Sequence, residues 1–130
     1  MAKKKKKRKK HKPSINSRAK GAGGERELSR ELSMLFGVEA YRGRQFHGRE
    51  DAPDVVMDIP GVHFECKRTE SLSVYKALEQ SEWDAGKDQI PLVAHRRNHK
   101  RWLLCMFLDD VPELVNLLRS FVKEKSDEGC

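Results

Sequence analysis

Two short apolar runs, Val55-Val56-Met57 and Val62 to Cys66, are separated by Asp58-Ile59-Pro60-Gly61. A Pro-Gly pair turns a chain back on itself, so the two runs predict a β-hairpin. Side chains alternate along a strand, which puts Val62, Phe64 and Cys66 on one face and His63, Glu65 and Lys67 on the other. Asp54, following Pro53, stands at the mouth of the first strand. An acid on one strand then meets an acid and a lysine on the next. Two carboxylates so placed can hold a hard divalent cation, and a lysine beside them can steer an attacking water. The spacing points to metal-dependent nuclease chemistry.

The rest of the chain supplies elements to pack around that hairpin. A helix is expected from about residue 24 to Phe36, stopped by Gly37, followed by a strand over Val38–Gln45. A glycine- and charge-rich loop, Phe46 to Ala52, leads into the hairpin. Ser71–Ala85 predicts a second helix ended by Gly86, with two apolar stripes. Leu72, Tyr75 and Trp83 form one and Val74, Leu78 and Ala85 the other, so that one packs on the sheet and one meets a partner subunit. Strands are expected over Ile90–His95 and Trp102–Leu108, on either side of a basic turn. A last helix starts near Asp110, with Pro112 in its first turn and Leu114, Leu117, Leu118 and Phe121 on one face. The order αβββαβ, then a strand and a helix, makes an α/β sandwich around a mixed central sheet.

Charge divides the 130 residues unevenly. Residues 3–12 hold nine of the 27 Lys and Arg, namely Lys3, Lys4, Lys5, Lys6, Lys7, Arg8, Lys9, Lys10 and Lys12, and none of the 20 acids. Without them, 18 bases face 20 acids, so the net charge of +7 belongs wholly to this run. Such a run buries no apolar surface and is expected to be disordered alone. It suits a polyanion, because each lysine that neutralises a phosphate releases a condensed counterion; a solubilising or localising tail has the same composition. The expected organisation is a basic arm over 1–22, one domain over 23–125 and a flexible tail over 126–130. No stretch is apolar enough to span a membrane, and no apolar segment follows the basic run as a secretory signal would require. Cys66, Cys105 and Cys130 are odd in number and form no CxxC pair. That argues against a disulfide scaffold or a structural zinc site and for a reducing cytoplasm.

Glu25 adds a third acid. Leu28, Leu32, Leu35 and Phe36 form the apolar stripe of the first helix, and at 100° per residue Glu25 falls in its middle. A carboxylate aimed at a core needs a partner, which a metal site would supply; at a fraying end it would instead complement the helix dipole. Arg96, Arg97, Lys100 and Arg101 make a basic turn that reads either as a solvated tip or as a phosphate grip. Arg42, Arg44 and Arg49 stand where they could also touch a nucleic-acid backbone. His63 shares the face of Glu65 and Lys67, yet a lone strand histidine is usually structural. His95 and His99 span a turn and are discounted as a metal pair.

Taken together, Gly24-Glu25-Arg26-Glu27-Leu28, Pro53-Asp54-Val55-Val56, Glu65-Cys66-Lys67-Arg68 and Tyr75-Lys76-Ala77-Leu78-Glu79-Gln80 resemble the PD-(D/E)xK nuclease superfamily. Within it the chain is most similar to archaeal and phage-type Holliday-junction resolvases, over about residues 18–108. The resemblance implies a restriction-endonuclease-like core. It implies Asp54 and Glu65 as direct Mg²⁺ ligands with the Cys66 carbonyl assisting, Glu25 completing the site through water, and Mn²⁺ able to substitute. Lys67 would orient the nucleophilic water and offset transition-state charge, and Gln80 would contact water or phosphate. Arg68, which closes the motif, joins the expected DNA-contacting residues. A two-fold dimer would nick symmetric strands of a four-way junction in the cytoplasm of a bacterial or archaeal host, the phage-type likeness hinting at a viral origin. The loop serine that archaeal resolvases often carry is absent between Val38 and Pro53, where Gln45, His47 and Arg49 stand instead. Two other readings remain open: a nickase or restriction-like enzyme on duplex or flap DNA, and a non-catalytic basic nucleic-acid-binding module.

Overall fold

The computed structural model describes residues 16–43 and 53–128, with side chains over 21–43 and 53–122. The basic run from Lys3 to Lys12 and the loop residues Arg44, Gln45, His47 and Arg49 lie outside the described residues. The first helix, α1 (Asn16–Phe36), leads into β1 (Ala40–Arg42), β2 (Val55–Met57) and β3 (Val62–Arg68). A second helix, α2 (Val74–Ala85), precedes β4 (Ile90–Arg96) and β5 (Leu103–Cys105). A 3₁₀ turn over Leu108–Asp110 runs into α3 (Val111–Glu128).

The five strands form one sheet in the order β1-β2-β3-β4-β5. β1 and β2 are antiparallel with Tyr41 opposite Val56, and β2 meets β3 antiparallel with Val55 opposite Phe64. The Pro60-Gly61 turn therefore does close a hairpin. β3 and β4 are parallel along seven residues, from Val62 opposite Ile90 to Arg68 opposite Arg96. Parallel neighbours need a crossover, and α2 provides it. β5 then returns antiparallel, with Val93 opposite Cys105. The sheet is mixed and flanked by helices, as the element order predicts.

Alternation along β3 and β4 builds two apolar layers. Phe64, Leu92 and Ala94 join Val55 and Met57 against Leu28 and Leu32 of α1 and the half-buried Leu114, Leu117, Leu118 and Phe121 of α3. On the opposite face Val93 packs against Ala77 and Leu78 of α2, with Leu72, Cys105 and Phe107 at the margin. Glu65 lies beside Val93 in register, so the carboxylate-bearing face of β3 is the one that α2 covers.

Several boundaries differ from expectation for identifiable reasons. α1 starts at Asn16 and not near residue 24; Arg18, Ala19, Lys20 and Ala22 favour helix enough to carry the intervening glycines. Gly24 among them is required by packing, since a Cβ there would stand 2.7 Å from the Cβ of Arg68 on β3. β1 is only three residues long, Ala40–Arg42, with the Gly43 amide still bonding the in-register Asp54 carbonyl at 3.0 Å just beyond it. β5 ends at Cys105 because Phe107 already caps the 3₁₀ turn, accepting from the Asp110 amide at 3.1 Å. α3 continues through Glu128, past the expected end of the domain, since no Gly or Pro interrupts residues 113–128. On α2 the two stripes divide differently. Leu72 packs inward, whereas Val74 is exposed with Tyr75 and Trp83. Among the described residues no helix is long and apolar enough to cross a membrane.

Candidate metal centre

Asp54 is fixed by its backbone before its side chain is considered. Its amide donates to the Phe64 carbonyl (2.8 Å), and its own carbonyl accepts from Gly43 (3.0 Å). The chain is so close at this crossing that a Cβ on Gly43 would fall 2.0 Å from the Pro53 carbonyl oxygen, so no larger residue fits. The Asp54 carboxylate then takes over from the ladder, with Oδ2 accepting the Cys66 amide at 2.8 Å. In an extended strand a residue's N–H and C=O leave on the same side. The Cys66 carbonyl therefore faces the edge where Asp54 sits, as its expected metal-binding role requires. Its sulfur is a different matter: burial first, then the charges of Asp54 and Glu25, push the thiol up to about 12. It stays protonated and is no thiolate ligand.

Glu65 is 3% exposed and Asp54 5% exposed. Burial pushes the Asp54 carboxyl up to about 7, helped by the charge of Glu65, their shared hydrogen bond and the charge of Glu25. Glu65 moves the other way. Burial opposes ionisation, but hydrogen bonds from His63 and Asp54 and the charges of His63 and Lys67 outweigh it and lower its pKa. The pair thus holds one proton near neutrality, the behaviour of two buried carboxylates with too little positive charge between them. A hard divalent cation would relieve that repulsion, and the oxygen donors fit Mg²⁺ or Mn²⁺.

Glu25 reaches the same region from α1 and is 8% exposed. Its Oε2 accepts from Arg42 Nε at 2.8 Å, and its charge acts on both Asp54 and Cys66. The structure thus pairs Asp54, just before β2, with Glu65 of β3 through a hydrogen bond, whereas Glu25 of α1 acts on them through its charge alone and is held by Arg42; among the described residues the three do not form one close donor group. Lys67 stands on the Glu65 face and donates from Nζ to Gln80 Oε1 of α2 at 3.5 Å, a long contact on the exposed side of the site.

The arginines are distributed less simply. Arg42 is committed to Glu25, and Glu27 draws in Arg68 Nε (3.6 Å) and Arg96 Nη1. These three, expected as DNA contacts, spend their charge inside the fold. Arg97, Lys100 and Arg101 are exposed and line a cleft of about 470 Å³ with Leu72, Val74, His95 and Leu103. His95 itself is buried, its Nε2 2.9 Å from the Thr69 carbonyl, a structural placement.

Sequence reasoning missed Asp84. Among the described residues, one ligand atom each from His63, Glu65 and Asp84 lie within 4.8 Å of one another. A signal was present: Asp84 falls three residues after Ser81 and seven after Ala77, both buried against the sheet, so it shares their helix face. Gly43 was missed too, because a close backbone approach leaves no mark in composition.

Comparison of the chain with family models, with curated proteins and with solved structures gives no match. Fold and site together define a mixed-sheet α/β domain with a buried Asp54–Glu65 pair and, beside it, a His63–Glu65–Asp84 group whose ligand atoms lie close enough to hold a metal ion.

Proposed function

We propose that the protein is a Mg²⁺-dependent, structure-selective DNA endonuclease with a restriction-endonuclease-like core, hydrolysing phosphodiesters in four-way junctions. One observation carries the reading. The Glu25, Asp54 and Glu65 carboxylates, from α1, the residue before β2, and β3, lie close enough for their charges to act on one another, and burial with the Glu65 charge pushes the Asp54 carboxyl up to about 7. The order of elements and the motif residues Pro53-Asp54 and Glu65-Cys66-Lys67 agree with the superfamily that the sequence resembles.

Asp54, Glu65 and the Cys66 carbonyl would hold the ion, with Glu25 completing its surroundings through water. When bound, Mg²⁺ supplies a Lewis acid that withdraws charge from the scissile phosphate. The chain's own residues do the rest. Asp54 and Glu65 give up their shared proton to bind the ion. Lys67, beside Glu65, orients the attacking water and offsets charge on the pentavalent phosphorus; Gln80 holds the ammonium in place through its 3.5 Å contact. Arg97, Lys100 and Arg101 grip backbone phosphate without reading sequence. Two copies related by a two-fold axis would present two such centres to one junction, and Trp83, 87% exposed, with Tyr75 offers apolar surface for that pairing.

Cleavage of a four-way junction, matched linear duplex and flap DNA in Mg²⁺ tests the reading. Asp54→Asn and Glu65→Gln should each lower cleavage at least about 100-fold, more than loss of an outer-shell contact, while folding and DNA binding persist. A wild type that cuts none of the three in Mg²⁺ or Mn²⁺ would leave only a nucleic-acid-binding module. Preference for duplex or flap would keep the chemistry and replace the substrate.

A further inference from the structure

A second set of donors shares Glu65 with the pair above and adds two residues, His63 and Asp84, that take no part in that scheme. His63 and Glu65 from β3 and Asp84 from the last turn of α2 place their ligand atoms within 4.8 Å of one another. Donors held about 2.0–2.2 Å from one ion lie within roughly 4.4 Å of each other, so small side-chain rotations would seat a cation among them.

The histidine is the reason to read this set as more than surface charge. His63 is 1% exposed, and its Nε2 stands 3.0 Å from Glu65 Oε1. Its Nδ1 is buried with no hydrogen-bond partner among the described residues. Buried polar atoms are nearly always paired, and one left over marks a strained or functional position. If the ring served only to brace Glu65, nothing would call for a second carboxylate. Yet Asp84 lies on the face of α2 that carries the buried Ala77 and Ser81 towards the sheet. Ser81 fixes that approach, its hydroxyl donating to the carbonyls of His63 (3.4 Å) and Leu92 (3.2 Å).

We propose that His63, Glu65 and Asp84 bind a second divalent cation of the borderline class, Mn²⁺ or Zn²⁺, with Glu65 shared between this site and the one at Asp54. An imidazole among the ligands disfavours Mg²⁺ and Ca²⁺, which take oxygen donors almost alone. The site requires neither DNA nor cleavage, so it stands or falls independently of the nuclease reading.

Mn²⁺ binding to the full chain without DNA, followed by electron paramagnetic resonance, tests it. The wild type should titrate two classes of Mn²⁺, one showing imidazole ¹⁴N modulation in the spin-echo spectrum. Asp84→Asn, a half-buried position, should weaken that class by at least about tenfold, the effect outer-shell partners alone can have, and leave the other class in place. Asp54→Asn should keep the nitrogen signal. His63→Gln should abolish it, and its circular dichroism reports whether the fold survives. No nitrogen modulation in the wild type, or unchanged Mn²⁺ binding in Asp84→Asn, would overturn the proposal whether or not the protein cuts DNA.

Discussion

Asp54 keeps a proton up to about pH 7 because burial and the neighbouring Glu65 and Glu25 charges penalise its anion. Its folded pKa lies above the ordinary 3.8. The folded chain therefore binds more protons than the unfolded one between those values, and the metal-free fold loses stability as pH rises through that window. Mg²⁺ competes with the same proton. Its addition should raise the melting temperature little at about pH 5.5 and clearly more at about pH 8, and Asp54→Asn should abolish the difference; a Mg²⁺ shift independent of pH would contradict this. Lys67 makes a separate prediction. Lys67→Ala should lower cleavage about 100-fold with Mg²⁺ binding intact. Lys67→Arg should not restore it, because a planar, delocalised guanidinium does not act as a compact point charge. Asp54, Glu65 and Lys67 were legible in the sequence because period-two alternation is a local property of the chain. The nearness of Asp84 to His63 and Glu65 and the pairing of Arg68 with Glu27 were not, since both depend on which helix crosses which strand.

Elements were legible wherever their boundaries are local. The hairpin, the stop of α1 after Phe36 and the stop of α2 after Ala85 follow from Pro60-Gly61, Gly37 and Gly86. Strand lengths at the sheet margins were not; β5, for one, ends where a 3₁₀ turn claims its backbone groups. The start of α1 shows the same limit in reverse, its glycines suggesting a linker where the chain is helical. They are not equivalent. A Cβ on Gly21 meets nothing within 4 Å, whereas one on Gly24 meets the Cβ and Cγ of Arg68. Gly21→Ala should therefore stabilise by about 0.5–1 kcal/mol through backbone entropy alone. Gly24→Ala should destabilise by roughly 1–3 kcal/mol by overpacking and loosen Glu25, its neighbour. Thermal melts of the two variants check the opposite signs.

For the whole molecule, the decisive feature is that outside the run from Lys3 to Lys12 acids outnumber bases, 20 to 18, while three arginines pair with Glu25 and Glu27. Under the nuclease reading proposed above, affinity for a polyanion would rest on Arg97, Lys100 and Arg101 and on the run from Lys3 to Lys12. Deleting residues 3–12 should weaken junction binding and flatten its dependence on salt by roughly 0.9 per lost phosphate contact in the log–log slope. An unchanged slope would remove that run from the binding surface. The sequence showed this division of charge, but not the internal pairing that sharpens it.

The sheet has a further consequence for handling the protein. Among the described residues its two longest strands, β3 and β4, are interior, and its borders are the three-residue β1 and β5. Stubs of that length offer too few free amides to template a growing fibril, even with Leu103 and Leu104 outward on β5. Concentrated stocks should therefore fail to seed amyloid.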